Sequence, residues 1–326
     1  MGAKFFVSRY NSEVDAKAHL QEFTVVVPKG ATLLDCLNII KWEQDGTFSF
    51  RMSCRSAICG SCAVRVNGHA RLACKTQAAD VIVDGEVTIE PLGNLPVIRD
   101  LIVDLEPFWE SLERVKPWLV PDETKKFDRE RLQSHHDQLK IDAASTCIMC
   151  GSCYSDCNVL NVDKMFLGPA SLAKAQRFVF DTRDSEKEAR LDFLSQVNGM
   201  WDCTHCAECS TRCPTEAKPL ERIIELRQEA VNSGFTNNNG ARHVLGFRES
   251  IGGFKGKGGG GMLNENYLPL RSVGLSLGGM LSLLPVGIRM IMRGKNPPMI
   301  PHIIDKIGEV RKMFRRFDEY RKEGEK

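Results

Sequence analysis

At 326 residues the chain exceeds an ordinary single domain, so two compact units and an extension are expected. Lys and Arg number 44 against 42 Asp and Glu, a formal net charge of +2, which excludes the strongly basic balance of a nucleic-acid binder. Thirteen cysteines are too sparse over this length for a disulfide-stapled secreted scaffold, and Met1–Tyr10 lacks the cationic and apolar regions of a secretory signal, so reduced thiols are expected.

In chain order, residues 4–10 (KFFVSRY) and 22–27 (EFTVVV) read as strands, and Thr32–Glu43 has helical spacing through Leu33, Leu34, Leu37 and Ile40. Ala63–Val66 and Ala70–Leu72 form a hairpin around Asn67-Gly68, and Val87–Glu90 adds another strand. A small mixed sheet is therefore expected around the first cysteines. From Ile98 the pattern turns helical through Leu101, Ile102, Leu105, Trp109 and Leu112, closed by Pro117. Further helices begin near Pro169, with Leu172, Ala175, Gln176 and Val179 on successive turns, and run from Leu220 to Val231. The expected domains are residues 1–95, residues 96–238 and an extension over 239–326.

Within that extension, Gly252–Gly261 lacks the Lys-Ser/Thr ending of a phosphate-binding loop and reads as a flexible connector. Ser272–Ile288 is uncharged, yet its glycines, serines and Pro285 make a poor spanning helix, so it is expected to dock on a surface or a partner. Ile303, Ile307, Val310, Phe314 and Phe317 share one face of a last helix, with Lys306, Arg311, Lys312, Arg315 and Arg316 elsewhere around it. Such a basic amphipathic helix suits a membrane surface, another subunit, or its own domain with a solvated basic face.

Twelve of the cysteines fall into three sets of four. Cys54, Cys59, Cys62 and Cys74 have the C-x4-C-x2-C spacing plus a distant fourth thiol that suits a [2Fe–2S] centre, with Gly60 letting the backbone close over the sulfurs. Cys147, Cys150, Cys153 and Cys157 form one C-x2-C-x2-C-x3-C run, and Cys203, Cys206, Cys209 and Cys213 form another. In such runs the fourth cysteine serves the other cluster. One [4Fe–4S] centre is then held by Cys147, Cys150, Cys153 and Cys213, and the second by Cys203, Cys206, Cys209 and Cys157. Pro214 follows Cys213 as that pattern expects, whereas Asn158 stands at the matching place in the first run.

Zinc is the competing metal for CxxC pairs, and a redox dithiol the competing chemistry, but neither explains two interleaved runs behind a plant-type loop. Cys36, on the apolar side of an early helix, reads as a buried thiol rather than a ligand. His135-His136 lies in a charged stretch and reads as solvated surface, and His205 is placed to tune a centre by hydrogen bonding. No residue is assigned a catalytic role.

Residues 54–74 (CRSAICGSCAVRVNGHARLAC), 91–119, 166–184 (FLGPASLAKAQRFVFDTRD) and 203–214 (CTHCAECSTRCP) together resemble the iron–sulfur subunit of succinate dehydrogenase and fumarate reductase, over roughly residues 1–238. The resemblance implies an α+β chain: a β-grasp plant-type ferredoxin domain, then a helical bacterial-ferredoxin domain, here with a C-terminal extension. It also implies single-electron transfer between a flavoprotein (FAD) dicarboxylate subunit and a membrane-associated quinone-reactive subunit, with no substrate site in this chain. The expected location is peripheral on a membrane, on the cytoplasmic face by default, with the periplasmic face reached by co-export alongside a signal-bearing partner.

Two departures from the common family pattern stand out. Most members lack a cysteine matching Cys206 and hold a [3Fe–4S] centre there, so Cys206 implies a second [4Fe–4S] centre, with [3Fe–4S] the alternative if Cys206 is not a ligand. The residues that shape the common quinone pocket are replaced by Asn158-Val159-Leu160 and Thr204. Both departures resemble the methylmenaquinol:fumarate reductases, whose membrane partner is haem-free and cysteine-rich. The rival readings are an iron–sulfur subunit of a heterodisulfide, glycolate or glycerol-phosphate oxidoreductase, which generally lacks the plant-type loop, and a non-redox scaffold stabilised by zinc or inert clusters.

Overall fold

The computed structural model describes residues 2–124, 128–252, 267–274, 276–295 and 305–324. By its internal contacts the chain divides into Met1–Glu229 and Ala230–Lys326. The first unit opens with a five-stranded mixed sheet in the order β2-β1-β5-β3-β4, where β1 is Gly2–Arg9, β2 His19–Val26, β3 Ala63–Val66, β4 His69–Leu72 and β5 Glu86–Glu90. Strand β1 pairs antiparallel with β2 and parallel with β5, and β3 pairs antiparallel with both β4 and β5. Alternation along β1 sends Ala3, Phe5 and Val7 into the core, where they meet Phe23, Val87 and Ile89.

Helix α1 (Leu33–Ile39) starts at a reciprocal cap: Asp35 N–H donates to Thr32 Oγ1 at 3.2 Å, and Thr32 N–H donates to Asp35 Oδ2 at 2.9 Å. A π-helical turn, Ile40–Gln44, carries the helix on. This α1 segment buries Leu33, Leu34, Leu37 and Ile40 and completes the β-grasp. Cys36 lies in the same core, and burial pushes its thiol up to about 11, the state of an inert packing residue.

The helical pattern expected from Ile98 onward is not what forms. Val97–Arg99 (β6) and Ile102–Val103 (β7) make a short hairpin, and helix α2 occupies only Glu106–Glu113. The turn is set by Asp100 at φ +48°, whose buried carboxylate accepts hydrogen bonds from Arg9 Nε and Tyr10 N–H at 3.0 Å each and from Ser49 N–H at 2.8 Å. Leu101 and Val103 are buried while Ile98 is exposed, so the apolar spacing that mimics a helix is produced by a hairpin tied to the first sheet.

The rest of this unit is helical: α3 (His135–Ser145), α4 (Ser152–Ser155), α5 (Asn158–Val162), α6 (Gly168–Val179), α7 (Lys187–Leu194), α8 (Glu208–Thr211) and α9 (Pro219–Asn232). Helix α6 is buried along most of its length and packs against α2, α3, α4 and α7, which makes it the central post. Arg190 of α7 is buried against Asp184, with contacts at 3.1 and 2.9 Å, and donates to the carbonyls of Val115, Lys116 and Trp118. A buried charge is tolerable because it is paired and its donors are spent on backbone oxygens.

The second unit contains α10 (Asn239–Gly252), α11 (Tyr267–Ser272), α12 (Leu277–Met292) and α13 (Ile307–Gly324), with α10 packed against α11 and α13. The glycine-rich connector lies outside the described residues beyond Gly252, as does Ile303. Among the described residues no helix is long and apolar enough to cross a membrane.

Candidate functional site

Sequence spacing supplies twelve candidate ligands, and the fold gathers them at three places. In the first loop, backbone amides converge on sulfur: Ser56, Ile58 and Cys59 N–H donate to Cys54 Sγ at 3.4, 3.4 and 3.3 Å, Cys54 N–H to Cys59 Sγ at 3.5 Å, Ala57 N–H to Cys74 Sγ at 3.3 Å, and Cys74 N–H to Cys62 Sγ at 3.4 Å. The amides point inward because Arg55, Ala57 and Gly60 take left-handed φ values of +56°, +57° and +73°. Such a nest of N–H donors suits an anionic group. Hydrogen bonds from Ser61 and from the Cys54 amide hold the Cys59 thiol down at about 6, whereas burial pushes Cys62 up to about 12.

The second place is a small cavity lined by Cys147, Cys150, Cys153 and Cys213 beneath Ala170 and Ala173 of α6. Burial pushes the Cys153 thiol far up, and the neighbouring Cys150, Cys147, Cys209 and Cys213 add to the effect. At the third place burial pushes Cys209 up to about 12, with Cys203, Cys157 and Cys206 the thiols that add to it. Cys213 thus lines the cavity with the first run's thiols, and Cys157 lies near those of the second run. Thiols that resist ionisation together are stabilised as thiolates by a cation held among them, and soft sulfur donors suit iron. The donor sets therefore fit iron–sulfur clusters.

The two runs repeat one local structure. Met149 and His205 take φ +55° and +58°, Gly151 and Ala207 take +77° and +65°, and the short helices α4 and α8 follow at the same offset. Cys157 N–H donates to Tyr154 O and Cys213 N–H to Ser210 O, each at 3.3 Å. Cys206 thus occupies the backbone setting of Cys150. The matching residues Asp156 and Arg212 pair with each other, Nε to Oδ2 at 3.3 Å, and join the repeats at their ends.

Asp156 also ties the sheet domain to the helices, accepting from Ala70 N–H at 2.8 Å and facing Arg65 Nε at 3.7 Å. Asn94 donates to the carbonyls of Tyr154, Ser155 and Cys157 at 3.0, 2.9 and 3.1 Å. Closest of all is Gly60: a Cβ there would lie 2.8 Å from Cys150 Cβ and 2.9 Å from Cys150 Cα. The first loop and the second place are therefore in direct van der Waals contact, and only glycine permits it.

The backbone N–H of His205 hydrogen-bonds to the Cys203 sulfur, while its ring turns to Arg227. Its Nε2 accepts from Arg227 Nη1 at 2.5 Å, which keeps the ring neutral, and burial with the adjacent Arg227 charge lowers its pKa. Arg227 was not singled out by any sequence pattern. It donates to the carbonyls of Met200 and Cys203 and stacks 5.1 Å from the Trp201 ring, placing a cation beside the third place. His135 and His136 are exposed, as their charged surroundings suggest. Cys59 and Cys206 are exposed at the two ends of the series, while Cys153 between them is buried.

Comparison with known proteins agrees with this geometry. Residues 4–110 match the 2Fe-2S iron-sulfur cluster binding domain, and residues 143–217 the 4Fe-4S dicluster domain. The fumarate reductase iron–sulfur subunit of Mycobacterium tuberculosis is 44% identical over 225 residues, 69% of this chain and 91% of that protein. The 8-methylmenaquinol:fumarate reductase iron–sulfur subunit of Wolinella succinogenes is 34% identical over 304 residues, 91% of each chain. A chain of the Mycobacterium smegmatis Sdh1 complex superposes with a TM-score of 0.65 at 26% identity, covering 72% of this chain and 98% of that one.

Proposed function

The chain belongs to the family of iron–sulfur subunits of fumarate reductases and succinate dehydrogenases, and we propose that it is a variant carrying two [4Fe–4S] centres behind a [2Fe–2S] centre. Each cluster, once bound, accepts and releases one electron at a time. Cys54, Cys59, Cys62 and Cys74 would hold the first, Cys147, Cys150, Cys153 and Cys213 the second, and Cys157, Cys203, Cys206 and Cys209 the third. The observation that carries this reading is the repeated backbone setting of Cys150 and Cys206, which gives the third place a fourth sulfur where most of the family has none.

The chain's own residues order the relay. The exposed loop at Cys54–Cys59 receives electrons from a flavin-bearing dicarboxylate subunit, the half-buried place around Cys153 relays them, and the exposed segment at Cys203–Cys206 passes them to a membrane-associated quinone-reactive subunit. Thr204 and Asn158-Val159-Leu160 in place of the usual quinone-pocket residues favour a haem-free, cysteine-rich partner that handles the quinone itself. The match to the Wolinella protein takes in 91% of this chain against 69% for the Mycobacterium tuberculosis match, which favours a menaquinone-type substrate for the whole complex. We place the domain limits at residues 1–95, 96–238 and 239–326, and the complex on the cytoplasmic face unless its flavoprotein carries an export signal.

The test is anaerobic purification of the chain alone and with its flavoprotein. The reading expects about ten irons and ten acid-labile sulfides per chain. Succinate should reduce all three centres only when the flavoprotein is present. Succinate oxidation by the isolated chain, or zinc without sulfide, would overturn it.

A further inference from the structure

Helix α12 is turned inside out. Leu277, Leu281, Leu284, Ile288 and Ile291, spaced four and three apart, form one stripe, and they are 81%, 65%, 56%, 48% and 63% exposed. The side turned partly inward carries Gly279, Leu283 and Gly287. A Cβ on Gly279 would lie 2.7 Å from Val273 Cβ, where the chain turns into the helix, whereas nothing lies within 4 Å of the Cβ position of Gly287, so only the first turn packs closely and the largest side chains stay outward. None of its residues is buried. A helix that met only water would be arranged the other way, and a contiguous apolar stripe of this kind marks a contact surface.

Charge identifies the occupant. From Asn266 to Ile304 the sequence contains no Asp or Glu, while Arg289, Arg293 and Lys295 are cationic; Arg271, also in the segment, is already paired with Glu249 at 3.2 Å. A second copy docking through this same helix would bring only the same cations to meet them. An anionic lipid surface offers hydrocarbon to the stripe and phosphate to Arg293 and Lys295 at the helix end. Sixteen residues reach only about 24 Å, short of the roughly 30 Å hydrocarbon core, so the helix cannot cross it.

We propose that α12 lies in the plane of an anionic bilayer, its Leu277–Ile291 stripe sunk among the acyl chains, and binds this subunit directly to lipid. The inference is independent of how the cysteines are loaded. The full, cluster-loaded chain, prepared without detergent, is floated with phosphatidylcholine vesicles made with and without phosphatidylglycerol. Binding is expected with phosphatidylglycerol, to weaken as salt rises, and to fall about tenfold or more in Leu281→Glu/Leu284→Glu. The preference for the anionic vesicles should fall in Arg293→Glu/Lys295→Glu. Unchanged cluster absorbance in both variants separates loss of binding from loss of folding. The proposal is overturned if the wild-type chain does not float, if the leucine variant floats equally well, or if the leucine substitutions abolish self-association in a chain that ignores vesicles. Binding that appears only when a membrane subunit is present also overturns it.

Discussion

Gly60→Ala separates two effects that the structure superimposes at one atom. At φ +73° an alanine lies in the left-handed region, which disfavours an L-residue by about 1–2 kcal/mol. The new methyl would also sit 2.8 Å from Cys150 Cβ and 3.2 Å from Ile148 O. These neighbours cannot rotate away, because Cys150 is a candidate ligand and Ile148 O is backbone. Overpacking of this kind costs about 1–3 kcal/mol more. Gly85 provides the control: its φ is +82° and nothing lies within 4 Å of its Cβ position, so Gly85→Ala carries the backbone term alone. Anaerobic urea unfolding of the loaded chains, followed by tryptophan fluorescence, should find Gly60→Ala less stable than Gly85→Ala by about 1–3 kcal/mol. Forcing the loop off Cys150 should also weaken the magnetic coupling between the first and second centres. Equal destabilisation by the two variants, with coupling unchanged in both, would refute the claim of direct contact.

Three further outcomes follow from the same geometry. Cys206→Ser should convert the third centre to a [3Fe–4S] form, visible as an oxidised-state paramagnetic signal while the other two centres stay intact. Arg227→Gln removes the cation beside Cys203 O and should lower the potential of the third centre alone, by roughly 59 mV for a tenfold change in its one-electron equilibrium; a redox titration that finds all three unchanged would remove the tuning role. Asp156→Asn leaves Arg65 and Arg212 without their shared carboxylate, and unfolding measurements should show a loss of about 3–5 kcal/mol.

The candidate ligand sets stand out in the sequence because cluster spacing is a local property: each run writes its own geometry into consecutive residues. The strands around Phe5, Phe23, Val64 and Val87 were legible for a similar reason, since alternation reports burial directly. The segment from Ile98 was misread because a hairpin at Asp100 happens to place apolar residues at helical intervals, and the ion pair that fixes the turn comes from Arg9, 91 residues earlier. Arg227 left no trace for the same reason, being one arginine in a helix whose meaning depends on three carbonyl and imidazole acceptors brought from residues 200–205. The pairing of Asp156 with Arg212 had a signal in the sequence: aligning the two cysteine runs places these residues at the same position. The outward stripe of α12 had none, because periodicity reveals that a helix has an apolar face but not which way the fold turns it.

The central claim is that the third place holds a complete fourth ligand. Low-temperature electron paramagnetic resonance of the anaerobically purified chain, oxidised and then reduced with dithionite, tests it directly. The oxidised protein should show no [3Fe–4S] signal, and the reduced protein should show two interacting [4Fe–4S] centres beside one [2Fe–2S] centre. A stoichiometric [3Fe–4S] signal from intact oxidised protein would mean that Cys206 binds no iron.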